Sequence, residues 1–477
     1  MPRGNAAGFE LLGAPIGSKE FCEEYVDKRV AKIKAALENL ELIDDPQIET
    51  LLLRSCLGFP KFVFSLRSAP PEDIAESIKH FDELMSSTLQ ERLGLSLTKE
   101  QEKQARLPVA MGGLGIERAE DVAESAYLGN VLATRKLVSK LMGEKETSNL
   151  GELKGVETAL EAWKEKTGVH VRRAEDLLSL KEMKTKDGMR HPQRVLAAFV
   201  HHRVQMDLLA NSSNSREELR LRAVVREDAG AWLSVLPVRQ LGLKFDQDEY
   251  LALMKWWLGV PIYAQPEKTS FTCPEGACKE KMDTMGDHAV TCKFGPSRIA
   301  RHDGVNKAWA FALKGAGMPV KIEVYTDPET MHRSADTLVD GWEFGRSAAH
   351  DWVVSHTLQK AAIEAGKGKR PDFSLEQSER RKDSYAKRRC ETRGLDFVPL
   401  AMDTFGGVGE RAKKAISIVV ANARIFRGNA LYDRNVSRRG LTQRLQVAVM
   451  RGVARQLLRR LAVDEEEGEV VGWQEGR

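Results

Sequence analysis

Three of the chain's six cysteines fall within one short stretch, Cys273-Pro-Glu-Gly-Ala-Cys278 followed by Gly286-Asp287-His288 and Cys292. This cluster constrains the fold most, because it reads as Cys-x4-Cys-x9-His-x3-Cys. Three thiolates and one imidazole nitrogen complete the four-coordinate shell of a structural zinc. The alternative is three buried free thiols and a surface histidine. Asp287 stands beside His288, where it could orient the imidazole or simply face solvent. The other cysteines, Cys22, Cys56 and Cys390, are scattered and show no disulfide framework, which points to a reducing compartment.

The 477 residues suffice for two to four domains. Residues 1–17 read as a loop-rich lead-in. Ser18 is a candidate N-cap, and helical periodicity runs from Lys19 to Leu40. Asp45-Pro46 restarts it, and further helical patterns cover Glu72–Leu93, Ala119–Leu141, Val156–Lys166, Arg190–Leu209 and Arg216–Glu227. The first 260 residues therefore read as mostly helical. Beyond Pro261 the character changes. A helix over Arg298–Gly315 precedes short strand-like runs at Val320–Tyr325, Asp336–Val339, Asp351–Ser355 and Phe397–Met402. Helices are expected at Gln377–Arg393, Val408–Arg427 and Leu441–Leu461. The alternation predicts a mixed α/β domain. No opening segment has the pattern of a signal peptide and no apolar run nears membrane-spanning length, so no membrane association is expected.

Two aspartates carry the most specific chemistry in that domain. Ala335-Asp-Thr-Leu-Val339 and His350-Asp-Trp-Val-Val354 flank the turn Gly341-Trp-Glu-Phe-Gly345. A hairpin centred near Glu343 sets Asp336 almost opposite Asp351, with Cα atoms about 4.5–5.5 Å apart. Carboxylates so close repel unless a cation lies between them. Mg²⁺ or Mn²⁺ would be held there for phosphodiester cleavage. The alternative is one turn aspartate and one solvated edge residue. Glu323 is a candidate third carboxylate. Lys382, Tyr385 and Arg389 share a helical face, on which Lys382 and Arg389 are candidate cations and Tyr385 a candidate nucleic-acid contact.

Charge points the same way. From Arg411 to Leu461 the chain holds thirteen Lys/Arg against the single acid Asp433, although the whole chain carries only +4. A local basic block suits a polyanion. Arg298, Arg301 and His302, just after the last cysteine, are candidate phosphate contacts. Gly406-Gly-Val-Gly409 lacks the Lys-Ser/Thr ending of a nucleotide loop and reads as a strand-to-helix turn.

Together these motifs resemble the C-terminal part of the polyprotein of non-LTR retrotransposons that carry a restriction-endonuclease-like domain. Leu11-Leu-Gly-Ala-Pro-Ile-Gly17 resembles the segment after the reverse-transcriptase palm, and Leu107-Pro108 with Gly112-Gly-Leu-Gly115 resembles the thumb. Cys273, Cys278, His288 and Cys292 match the family's Cys-Cys-His-Cys knuckle. Arg301-His302-Asp303, Arg333-Ser-Ala-Asp336, Asp351-Trp-Val353, Lys382 with Tyr385, and Thr404-Phe-Gly-Gly407 match motifs of the segment that follows. The resemblance implies a nuclease of the PD-(D/E)xK type, with Asp336 and Asp351 on a divalent metal. Lys382 takes the place of a lysine moved from a strand to a helix. The Tyr/Phe-x-Asp-Asp motif of the polymerase palm does not occur, so polymerase activity is not expected of this chain alone.

The expected architecture is a helical thumb-like region (1–150), a helical linker (151–262), a zinc knuckle (263–297), an α/β endonuclease-like domain (298–430) and a basic helix with an acidic tail (431–477). The expected activity is metal-dependent nicking of DNA in the nucleus. The alternatives are a non-catalytic remnant that binds DNA or RNA through the knuckle and basic helices, and a zinc-stabilised interaction protein.

Overall fold

A computed structural model describes residues 8–143, 150–185, 188, 189, 191–263, 272–322, 335–359, 363, 370, 372–426 and 437–460. The chain is mostly helical with a small mixed sheet. It forms two compact units, residues 1–108 with 113–211 and residues 109–112 with 212–477.

The first unit opens with a hairpin where a loop was expected. Strands β1 (Gly8–Leu11) and β2 (Ala14–Gly17) pair antiparallel around Leu12-Gly13, both at positive φ. Among the described residues, eight α-helices follow: α1 (Lys19–Glu38), α2 (Pro46–Leu52), α3 (Phe59–Ser68), α4 (Ala75–Leu93), α5 (Lys99–Arg106), α6 (Ala119–Met142), α7 (Val156–Thr167) and α8 (Pro192–Ala210), with two-residue strands β3 (Lys184–Thr185) and β4 (Gly188–Met189) between the last two. Local sequence sets the helix starts. The Ser18 hydroxyl accepts from Phe21 N–H, and Asp45 accepts from Gln47 and Ile48 N–H with Pro46 in the first turn. Two aromatic groups anchor the core. Phe62 stacks on Phe81 at 4.3 Å. Trp163 is buried among Leu128, Leu160 and Leu196, and its indole N–H donates to Leu196 O at 3.2 Å. Gly129 lets α6 meet α8, because a Cβ there would lie 2.5 Å from the Gln193 Cα.

The second unit contains α9 (Ser215–Val224), α10 (Gln247–Leu258), the short α11 (Asp287–Thr291) and α12 (Ser297–Gly315). Strands β5 (Val320–Ile322), β6 (Thr337–Val339) and β7 (Ala348–Ser355) come next. Helix α13 (Phe373–Lys382) passes through a π-helical turn at Asp383–Lys387 into α14 (Arg388–Glu391), then come β8 (Asp396–Asp403), α15 (Glu410–Phe426) and α16 (Arg438–Leu458). Sheet order is β5-β6-β7-β8, with antiparallel pairs except for parallel β7–β8. The register Thr337↔His350 and Val339↔Ala348 has the hairpin centre expected from the sequence. The mixed sheet, with helices before, between and after its strands, is the α/β part expected from that half of the chain.

The basic helix and the glycine-rich turn are both tied into the second unit. The basic helix α16 buries Leu445, Val449, Met450, Val453 and Leu457 among others, and packs on α10, α12 and α15. Several of its arginines pair with acids far away in sequence, Arg451 and Arg455 with Glu249, and Arg459 with Glu275. The glycine-rich turn after β8 is built around Asp403, fully buried, whose carboxylate accepts from Phe405 and Gly407 N–H at 2.8 and 2.9 Å and pairs with Arg226. Gly406 has φ +87°, and a Cβ there would lie 2.5 Å from Ala229 O. The amides of Phe405 and Gly407 are thus taken internally, as a plain strand-to-helix turn requires.

Candidate functional site

The cysteine cluster closes as its spacing suggests. Ligand atoms of Cys273, Cys278, His288 and Cys292 all lie within 4.8 Å of one another. Cys273 Sγ is 3.9 Å from Cys292 Sγ, and Cys278 Sγ is 3.5 Å from His288 Nε2. A tetrahedron with metal–sulfur bonds of about 2.3 Å has edges of roughly 3.8 Å, so these separations fit a bound ion. The surroundings fit too. Arg460 is buried against Cys273 and Cys292, and its Nε and Nη2 find no hydrogen-bond partner among the described residues. An anionic thiolate cluster would satisfy them. Burial works against ionising Cys292, but the Phe294 N–H and Arg460 outweigh it and hold the thiol below its usual range.

Local structure explains how the histidine is presented. Asp283 accepts from the backbone N–H of Asp287 and His288 at 2.9 and 2.6 Å, starting α11 so that His288 and Cys292 fall one turn apart. Asp287 does not orient the imidazole. Its carboxylate pairs with Arg216 of α9 and lies 3.4 Å from His356 Nε2 after β7. The Asp287 carboxylate thus connects the cysteine loop to the rest of the unit.

The second cluster lies at the end of the β6–β7 pair. Asp336 lies just before the last paired rung, Thr337↔His350, and its N–H donates to His350 O at 2.9 Å. Ligand atoms of His302, Asp336 and Asp351 lie within 4.8 Å of one another. Three contacts fix Asp336: its Oδ2 accepts from Trp352 N–H at 2.7 Å and lies 3.0 Å from His302 Nε2, and its carbonyl accepts from Asn306 Nδ2 at 3.4 Å. Lys382 Nζ, at the end of α13, donates to Asp351 Oδ1 at 2.8 Å.

Electrostatics separates the two carboxyls. Burial pushes Asp351 up to about 7, the charge of Asp336 adds to this, and Lys382 opposes it. Burial also resists ionisation of Asp336, but His302 and the Trp352 N–H overcome it and hold that carboxyl below its usual range. Burial disfavours charge on His302 as well, yet Asp336 and Asp303 raise it to about 9. One carboxyl poised near neutrality and one held below its usual range, within 4.8 Å of an imidazole nitrogen, could hold a metal ion. Two carboxylates are the kind of ligands Mg²⁺ or Mn²⁺ takes.

Other candidates fall elsewhere. Arg301 is buried, with its guanidinium donating to Val290 O at 3.2 Å and to Gln456 Oε1 at 2.6 Å, which ties it to α11 and α16. His302, expected on a phosphate-binding surface, turns into the acidic cluster. Its signal was legible only as a histidine on a helix, because periodicity gives the helix but not what its face meets. Arg298 is exposed. Tyr385 and Arg389 are exposed too, with the Arg389 guanidinium 5.3 Å from the Tyr385 ring centre. The π-helical turn separates them from Lys382, which points at Asp351. Glu323 lies outside the described residues. No helix among the described residues is long and apolar enough to cross a membrane.

Models of known protein families give no match to this chain, and neither do curated protein sequences.

Proposed function

We propose that the second unit is a divalent-metal-dependent DNA-nicking module, stabilised by zinc on Cys273, Cys278, His288 and Cys292. We further propose that the chain derives from the C-terminal part of a non-LTR retrotransposon polyprotein and acts in the nucleus. The observation that carries the reading is the convergence of Asp336, Asp351, His302 and Lys382 from four separate segments onto one spot. A divalent ion held by Asp336 and Asp351 would activate the attacking water and neutralise charge on the scissile phosphate. The chain's own groups supply the positioning. Trp352 N–H fixes the rotamer of Asp336, Lys382 steadies Asp351 and offers a positive charge to phosphate, and His302 accepts or gives up a proton at Nε2 as the cation enters or leaves.

One observation favours a second reading. His302 and Lys382 already neutralise the two carboxylates, which is how a structural ion-pair network would look. In that case the unit binds nucleic acid without cutting it. Supercoiled plasmid incubated with the full chain and Mg²⁺ or Mn²⁺ decides between them. The nicking reading expects open circles from the parent and none from Asp336→Ala or Asp351→Ala. Equal background from all three proteins would leave the binding role alone.

A further inference from the structure

A groove of about 660 Å³ runs between α12 and α16. Arginines dominate its polar lining: Arg444, Arg451, Arg455 and Arg459 project from α16, and no carboxylate side chain lines it among the described residues. The acids that pair with these arginines do not balance them. Glu249 is shared by Arg451 at 3.3 Å and Arg455 at 2.7 Å. Glu275 is shared by Arg459 at 3.0 Å and Arg460 at 3.9 Å. Glu249 therefore serves two guanidinium groups of the groove and leaves one positive charge in excess. Arg444 has no ion pair among the described residues. Its guanidinium lies 6.0 Å from the ring centre of Phe311. That ring is 66% exposed at the groove edge, so its face is open to a ligand.

We propose that this groove binds single-stranded DNA, with backbone phosphates on the α16 arginines and a base stacked on Phe311. Excess positive charge in a concave site focuses a polyanion, and an aromatic face beside an arginine is a sequence-tolerant platform for a base. The volume falls in the range of about 300–1,000 Å³ that encloses one small ligand. A base can stack on the Phe311 ring only when it is unpaired, which favours a single strand over a duplex. Selection of RNA needs acceptors for the 2′-hydroxyl. Among the described residues the lining's one neutral side-chain acceptor is the Ser297 hydroxyl, and the carbonyl of Gly242 already accepts from Arg451, so little in the groove selects for a 2′-hydroxyl. The groove is distinct from the acidic cluster: Ala300, Gly304 and Ala308 of α12 line it, while His302 of the same helix turns to Asp336. The proposal does not rest on the nicking reading.

Fluorescence anisotropy with labelled oligo-dT and the full chain, without added Mg²⁺ or Mn²⁺, tests it. Arg444→Ala and Arg455→Ala should each weaken binding several-fold and reduce the slope of log K against log salt by about 0.7. Arg444→Lys should keep the parent slope, which separates lost charge from lost folding. Phe311→Ala should weaken binding about fivefold or more with the slope unchanged. Parent-like affinity and slope in both alanine variants would overturn the proposal. So would a duplex of equal length that competes as well as the single strand, or oligo-rU that binds more tightly than oligo-dT. Arginine-dependent binding without plasmid nicking would leave the groove standing and remove the nuclease; nicking with arginine-independent binding would do the reverse.

Discussion

Replacing Lys382 by methionine should change the pH dependence of cation binding at the acidic cluster in a way a structural lysine would not. Asp351 sits at about 7 even with the Lys382 ammonium 2.8 Å away. A neighbouring opposite charge lowers a carboxyl pKa by about 1–3 units. Because the Lys382 side chain is 31% exposed, solvent screening places the effect near the low end, about one unit. The sign follows directly. Asp351 must be ionised to hold a cation, so binding by the parent rises as pH passes through about 7. In Lys382→Met the carboxyl stays protonated about one unit further up, and each unit is a tenfold handicap. At pH 7 the variant should bind Mn²⁺ about fivefold more weakly, approaching tenfold at lower pH. At high pH both carboxylates are ionised and the repelling ammonium is gone, so the variant should equal or exceed the parent. Mn²⁺ titrations followed by electron paramagnetic resonance between roughly pH 6 and 9, a range spanning the ordinary histidine pKa on both sides, should give two curves that cross. An unchanged midpoint, or a uniform loss at every pH, would refute the reasoning.

Two further outcomes follow from buried groups. Arg226→Met strands the Asp403 carboxylate, fully buried in the turn after β8, and should cost about 3–5 kcal/mol in urea unfolding; a loss under about 1 kcal/mol would show that the Phe405 and Gly407 amides alone suffice. Chelation should make the buried thiols of Cys273, Cys278 and Cys292 reactive toward Ellman's reagent and lower the melting temperature; equal thiol reactivity with and without chelator would argue against a bound metal.

Much of the second unit was legible because its signals are local. The turn at Gly341–Gly345 between two strand-like runs sets the hairpin centre, and the structure has Thr337↔His350 in that register. The cysteine cluster was equally plain, since four ligands within twenty positions need little help from the rest of the chain. What stayed hidden depends on partners distant in sequence. The arginines of α16 look like a solvated face until Glu249 and Glu275 come to meet them. Arg301 and His302 are neighbours on one helix, yet one goes to the core beside Gln456 and the other to Asp336. The shared face of Lys382, Tyr385 and Arg389 fails for a different reason. The π-helical turn at Asp383–Lys387 changes the residue spacing on which such a reading depends. The opening hairpin was missed because Gly8–Leu11 and Ala14–Gly17 are too short to show alternation, and their turn uses a leucine at positive φ.

The central claim is that Asp336 and Asp351 form a divalent-cation site. Anomalous diffraction from crystals soaked in Mn²⁺ tests it most directly. The account predicts a peak between the two carboxylates, within about 2.0–2.3 Å of an oxygen from each, with Lys382 drawn off Asp351. No peak there, with the His302–Asp336 and Lys382–Asp351 pairs still closed, would contradict it.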